Sequence, residues 1–202
     1  MGSLILAIRF LTVFPLPGRE AGGPGALGRA AWWFPLVGLA LGAVLALADR
    51  GLSRLFPPLV SAVLVLALWK VLTGGIHLDG LADCLDGLAG RDPEQRRAIM
   101  RDARIGVFGA VGLILALASG VASVSELPDS IRSRVLVLAP AVGRTMPLVI
   151  GWSLRRAAGS GGLGAEFASG VTSGAMILWL PATLFLTAHL LWPGGWLLWV
   201  GA

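Results

Sequence analysis

The sequence predicts an all-α, polytopic membrane bundle of about five or six transmembrane helices, and three observations carry that expectation. Of the 202 residues, 56% are apolar and only 13% charged, whereas a soluble domain carries about 25% charged residues. Mean hydropathy is +0.82. Glycine (29) and tryptophan (8) are abundant, as expected where glycine is favoured within membrane helices and tryptophan at their interfaces. The length fits a single membrane-embedded domain over residues 1–202.

Taken in order, Leu4–Phe14 is apolar but too short to span, and the prolines Pro15 and Pro17 after it suit an interfacial or re-entrant segment. Arg9 interrupts this run and no basic region precedes it, so no cleavable signal peptide is expected. Five segments then approach the length needed for a ~30 Å hydrocarbon core. They are Ala30–Leu47, Phe56–Thr73, Ile105–Val124, Val135–Trp152 and Ala175–Trp192. The second is the weakest. Pro57 and Pro58 open it, which suits a first helical turn, and Lys70 near its end can snorkel to the interface. Trp196–Ala202 is too short to cross, and the glycine-rich stretches Ala21–Gly28 and Ala157–Gly164 read as loops.

Charge orients these spans. Fifteen arginines and one lysine oppose eleven acids, for a net charge of +5. The basic residues fall between apolar runs, where they set topology and meet lipid or substrate phosphates, so no nucleic-acid partner is expected. Five spans put Arg9, Arg19, Arg29, Arg91, Arg96, Arg97, Arg101, Arg104, Arg155 and Arg156 on one side. Arg50, Arg54, Arg132 and Arg134 fall on the other. The positive-inside rule makes the first side cytoplasmic.

The same side holds the acidic stretch His77–Gly87. Asp79, Asp83 and Asp86 are spaced i, i+4, i+7, which places them on one face of a helix. Clustered carboxylates at an interface repel one another and resist desolvation unless a cation neutralises them. Oxygen-only ligands select a hard ion, and Mg²⁺ completed by substrate phosphates is the usual solution. The plainer alternative is a solvated turn whose acids pair with arginines. That alternative must also explain Leu78, Leu81, Leu85 and Leu88 on an opposing face beside a span. Gly75, Gly80 and Gly87 leave room for close approach. Cys84, the sole cysteine, excludes an intrachain disulfide and CxxC chemistry and reads as a small apolar filler. His77 is open between proton transfer from an attacking hydroxyl and a hydrogen bond near a helix start.

A basic segment follows. Asp92-Pro93-Glu94 reads as a helix start, with Asp92 as N-cap and Pro93 at N1. On such a helix Arg97, Arg101 and Arg104 form an i, i+4, i+7 stripe able to hold a pyrophosphate beside the metal. A salt-bridged surface helix is the better account of Arg96 and Arg97, while Arg101 and Arg104, with Arg91, are the substrate-binding candidates. Arg144 lies mid-span, where a charge is expensive, so it faces the bundle interior and either an acidic partner or an anionic substrate. His189 reads as an interfacial residue.

At this point the residues resemble a known family. Thr73-Gly74-Gly75-Ile76-His77-Leu78-Asp79-Gly80-Leu81-Ala82-Asp83, then Asp86-Gly87, then Ile99-Met100-Arg101-Asp102-Ala103-Arg104-Ile105-Gly106 closely resemble cobalamin synthase, adenosylcobinamide-GDP ribazoletransferase. Phe10–Pro17, Phe34-Pro35-Leu36-Val37-Gly38 and, less specifically, Gly143-Arg144 are similar to that family as well. The resemblance implies a Mg²⁺-dependent membrane enzyme that joins adenosylcobinamide-GDP to α-ribazole, or its 5′-phosphate, with release of GMP. It implies residence in the bacterial cytoplasmic (inner) membrane, with the active site facing the cytoplasm. Asp79, Asp83 and Asp86 would be the metal ligands, with Asp102 next, and Asp83, Asp79 and His77 the catalytic groups. Arg101, Arg104, Arg144 and Arg91 would bind substrate. The family commonly continues into a further Gly-Asp motif and one or two more membrane segments, so the resemblance implies a shortened form ending at Ala202.

Two rival readings compete with it. A CDP-alcohol phosphotransferase of phospholipid synthesis also uses an Asp-rich Mg²⁺ helix, and Asp83–Arg91 approaches its DxxDGxxAR pattern, but the second half of that pattern does not follow Arg91. A cation transporter would place acids in several spans, and none of the five is rich in them.

Overall fold

Apolar helices in lipid gain little from hiding side chains from one another, so they associate where small residues let backbones close. The computed structural model, which describes residues 2–19, 21–155 and 162–191, follows that rule. Arg156, the start of the expected Ala157–Gly164 loop, Trp192 and the Trp196–Ala202 run lie outside the described residues. Among those described, every regular element is helical. The chain divides into two compact units, Met1–Arg54 with Pro128–Ala202, and Leu55–Leu127.

In the first unit, α1 (Gly2–Leu11), α2 (Ala26–Ala30) and a 3₁₀ turn (Ala31–Trp33) lead into α3 (Phe34–Leu52). From residue 129 onward come α8 (Asp129–Leu154), α9 (Leu163–Gly170) and α10 (Ser173–Leu191). α3 and α8 meet backbone to backbone. A Cβ on Gly38 would lie 2.6 Å from the Pro140 carbonyl oxygen, and one on Gly42 would lie 2.3 Å from that of Val137. α2 and α9 meet in the same way at Gly28 and Gly170. Phe34 centres the apolar core, stacked between Phe10 (5.8 Å) and Phe167 (6.2 Å).

Two expected boundaries in this unit move for one reason. The apolar pattern ends the first span at Leu47 and begins the fourth at Val135, because Asp49, Arg132 and Arg134 interrupt it. In the structure α3 runs on to Leu52 and α8 starts at Asp129. Asp49 and Arg132 face each other and neutralise one another, 2.7 Å apart between Arg132 Nη2 and Asp49 Oδ1. Arg132 is therefore a buried helix residue and not a loop charge.

The second unit holds α4 (Pro58–Thr73), α5 (Ile76–Gly87), α6 (Pro93–Ile99) and α7 (Val107–Ser125). Pro57 and Pro58 do stand at the start of α4. At 16 residues this helix reaches only about 24 Å, so it falls short of a span by itself. It qualifies only together with α5, from which it is bent by 90°. By length and composition the described residues contain four helices able to cross a membrane, or five with the bent pair counted as one. α1, at ten residues, is too short to cross, as its sequence indicated.

Candidate active site

The bend between α4 and α5 creates the site. Gly74 and Gly75 both take left-handed backbone angles (φ 62° and 71°), which cost a residue with a Cβ roughly 1–2 kcal/mol each. Gly75 N–H donates back to the Lys70 carbonyl (3.1 Å), closing α4. The Gly75 carbonyl then accepts the N–H groups of Leu78 (2.8 Å) and Asp79 (3.0 Å), opening α5. With α5 helical, Asp79, Asp83 and Asp86 share one face, and all three line a cavity of about 800 Å³.

Arg101, Asp102, Ala103 and Arg104 also line the cavity, from the segment between α6 and α7. Asp92 does cap α6, accepting from Glu94 N–H (2.9 Å) and Gln95 N–H (2.8 Å). The helix stops at Ile99, however, so the expected stripe of Arg97, Arg101 and Arg104 on one helix does not form. Arg101 and Arg104 reach the cavity from an irregular turn, and Arg97 is not among its lining residues. The reason is local. Arg104 N–H and side chain both bond the Asp102 carboxylate, at 3.0 Å for the backbone and 2.6 Å for Nη2, and this competes with helical pairing. Those bonds hold the Asp102 carboxyl down at about 2 and raise the Arg104 guanidinium. Arg96 Nε donates to the Gly90 carbonyl (3.0 Å), a structural role.

Beside the cavity α5 packs against α7, and Asp86 belongs to both the lining and this contact. Gly106 N–H donates to Asp86 Oδ2 (2.7 Å) and Gly109 N–H to Asp86 Oδ1 (2.8 Å). Glycines at 106, 109 and 112 make this approach possible. A Cβ on Gly106 or Gly109 would fall 2.4 Å from an Asp86 oxygen, and one on Gly112 would fall 2.0 Å from Leu85 Cδ1. The sequence reading named Gly75, Gly80 and Gly87 and missed this three-residue periodicity at the start of α7, which was the available signal. Gly80 faces open space, while a Cβ on Gly87 would press on Met100 at 2.9 Å.

Other candidates fall elsewhere. His77 and Arg91 are exposed and are not among the cavity's lining residues. For His77 the cause is helical geometry: two residues before Asp79, it points some 160° away around the axis. Arg144 belongs to the first unit, buried within α8 as its mid-span position demanded. Cys84 is exposed, so it fills no core, contrary to the sequence reading. His189 is exposed and stacks on Phe185 at 5.7 Å.

The donor set bears on which ion the cavity suits. Among the described residues no three His, Cys, Asp or Glu side chains converge into a ready cation cage. Asp86 is engaged by backbone N–H groups and Asp102 by Arg104. Asp79 and Asp83 remain one helical turn apart on the cavity wall. Two carboxylates with the remaining positions left to water and phosphate is the pattern Mg²⁺ accepts, in contrast to the fuller cages that hold Ca²⁺.

Fold and site together define a polytopic helical membrane protein with an acid- and arginine-walled cavity. A family model described as cobalamin-5-phosphate synthase matches residues 3–202, and the chain belongs to that family. Relatives named adenosylcobinamide-GDP ribazoletransferase come from Syntrophobacter fumaroxidans (42% identical, over 80% of this chain and 66% of the relative) and Roseiflexus sp. (40%, over 81% and 60%). Another, from Thiobacillus denitrificans, is 37% identical over 92% of this chain and 82% of the relative. The match spans between 60% and 66% of the length of the first two relatives. No solved structure matches the chain significantly.

Proposed function

We propose that the chain is a Mg²⁺-dependent transferase that joins adenosylcobinamide-GDP to α-ribazole, or to its 5′-phosphate, releasing GMP. The observation that carries this reading is a cavity lined by Asp79 and Asp83 together with Arg101 and Arg104, in a chain of this family. Both substrates are named by, or chemically implied in, the names of the relatives. In the proposed reaction the ribose 3′-hydroxyl of α-ribazole attacks the cobinamide-linked phosphorus. A new O–P bond forms, the pyrophosphate P–O bond breaks, and GMP carries away the bonding pair.

Asp79 and Asp83 would hold Mg²⁺, which when bound neutralises pyrophosphate charge. Asp79, the more exposed of the two, accepts the proton of the attacking hydroxyl. Arg101 and Arg104 take the charge that develops on the phosphate oxygens, Arg104 exchanging the Asp102 carboxylate for phosphate. Phosphoryl transfer depends mainly on such positioning and neutralisation. On this reading the arginine-rich side of the chain, which includes this cavity wall, faces the cytoplasm, as its positive charge supports, and the membrane is a bacterial inner membrane, as the family resemblance implies.

The test is reconstitution in lipid vesicles with Mg²⁺, adenosylcobinamide-GDP and α-ribazole, following GMP and cobalamin by chromatography. Turnover is expected, and Asp83→Asn should lose it by about 10²–10³-fold, the order of a lost key electrostatic group, while inserting normally. Turnover of a CDP-alcohol in place of the corrinoid substrate would overturn the proposal. Near-normal turnover of Asp83→Asn would remove Asp83 from the site. Parallel assays with α-ribazole and its 5′-phosphate identify the preferred acceptor.

A further inference from the structure

We infer that Asp86 is a positioning residue, which holds the arginine wall of the cavity in register with the acidic wall, and that it does not ligate the cation. This rests on the proposed function for the identity of the cavity, but its geometric basis is independent of it. The first N–H groups of any helix lack intrahelical partners. In α7 two of them, those of Gly106 and Gly109, are satisfied by a carboxylate supplied from α5. No side chain of the α7 N-cap residue does that work, since that residue is Gly106 itself.

One carboxylate thus caps a helix from outside, its negative charge at the positive end of the helix dipole. Each oxygen takes one short bond, and Asp86 is only 8% exposed. The residues that precede this anchor are Arg101 to Ile105, which form one wall. The residues one and two turns before Asp86 on its own helix are Asp83 and Asp79, which form the other. A shift of Asp86 relative to Gly106 and Gly109 therefore moves one wall against the other.

The glycines supply a way to separate this role from ligation. Gly109→Ala leaves every carboxylate and arginine in place but puts a methyl 2.4 Å from Asp86 Oδ2 and 3.0 Å from the Ala82 carbonyl oxygen. It should therefore behave as Asp86→Asn does. In Asp86→Asn one of the two N–H groups meets an amide N–H₂ and loses its acceptor.

The experiment uses the full chain in lipid nanodiscs. Hydrogen exchange of the segment 100–112 is measured, together with Mn²⁺ binding in the absence of pyrophosphate and steady-state kinetics. In both variants exchange at Gly106 and Gly109 is expected to quicken at least tenfold. Mn²⁺ affinity stays within twofold of wild type, and KM for adenosylcobinamide-GDP rises at least fivefold with KM for α-ribazole unchanged. Unchanged exchange in Asp86→Asn, or a loss of Mn²⁺ affinity beyond twofold, overturns the positioning role. So does a Gly109→Ala protein with quickened exchange and wild-type KM values. If Asp86→Asn does not fold, Gly109→Ala decides by the same three readouts. Failure of the wild type to bind Mn²⁺ or turn over would sink the proposed function instead, and exchange would still show whether Asp86 holds the α7 terminus.

Discussion

Breaking the Asp49–Arg132 pair should be among the most destabilising single changes in the chain. Arg132 Nε lies 3.0 and 2.9 Å from the two Asp49 oxygens and Nη2 lies 2.7 Å from Oδ1. The two side chains are 6% and 4% exposed. Asp49→Ala removes all of these bonds and strands a guanidinium with no water to solvate it. Removing one partner of an enclosed ion pair costs about 3–5 kcal/mol. By contrast, replacing both partners by apolar groups of similar volume is often neutral or stabilising, so Asp49→Leu with Arg132→Met should recover most of the loss. The assay is equilibrium unfolding of the purified chain in mixed detergent micelles, followed by tryptophan fluorescence. A single-variant loss below about 1 kcal/mol would mean that water or lipid headgroups reach Arg132. A double variant as unstable as the single one would mean that the pair does more than cancel its own burial. Either result would refute the reasoning that lengthens α3 and α8 past their apolar limits.

Further expectations follow from the same packing. Gly42→Ala drives a methyl against two backbone carbonyls, 2.3 Å from that of Val137 and 2.7 Å from that of Leu136. It should cost about 1–3 kcal/mol as overpacking, read as a lowered unfolding midpoint, whereas Gly51→Ala, in the same helix with open space around its Cβ, should stabilise by about 0.4–1 kcal/mol. Asp102 provides a pH test: its folded pKa is depressed to about 2 from a usual 3.8. The stabilisation from its bond with Arg104 is then fully present above the usual value and lost as pH falls through about 2. A ¹³C carboxyl titration of Asp102 should show this depressed midpoint, and Arg104→Gln should return it towards 3.8. A midpoint unmoved by that substitution would show that Arg104 does not hold the carboxylate.

Much of the site was legible in sequence because its signals are local. The i, i+4, i+7 spacing of Asp79, Asp83 and Asp86 needs only helical geometry to become one face, and α5 supplies it. The Asp92-Pro93 helix start is written in a four-residue cap and appears as expected. Arg101 and Arg104 do line the cavity, but not by the route the spacing suggested. Their stripe presumed a helix through residue 104, and a two-residue bond between Asp102 and Arg104 ends that possibility. His77 fails on geometry that was available from the start: a residue two positions from Asp79 cannot share its face.

What the sequence by itself determined is the class of protein, its apolar helices and the acidic face of α5, because hydropathy and helical period act over one or a few turns. What only the tertiary structure decided is which charge answers which. Asp49 and Arg132 are separated by 83 residues, and Asp86 meets N–H groups 20 and 23 residues further along the chain. No periodicity encodes such pairings. They are selected when helices close to backbone contact over Gly38, Gly42 and Gly109, where a buried polar group without a partner is costly.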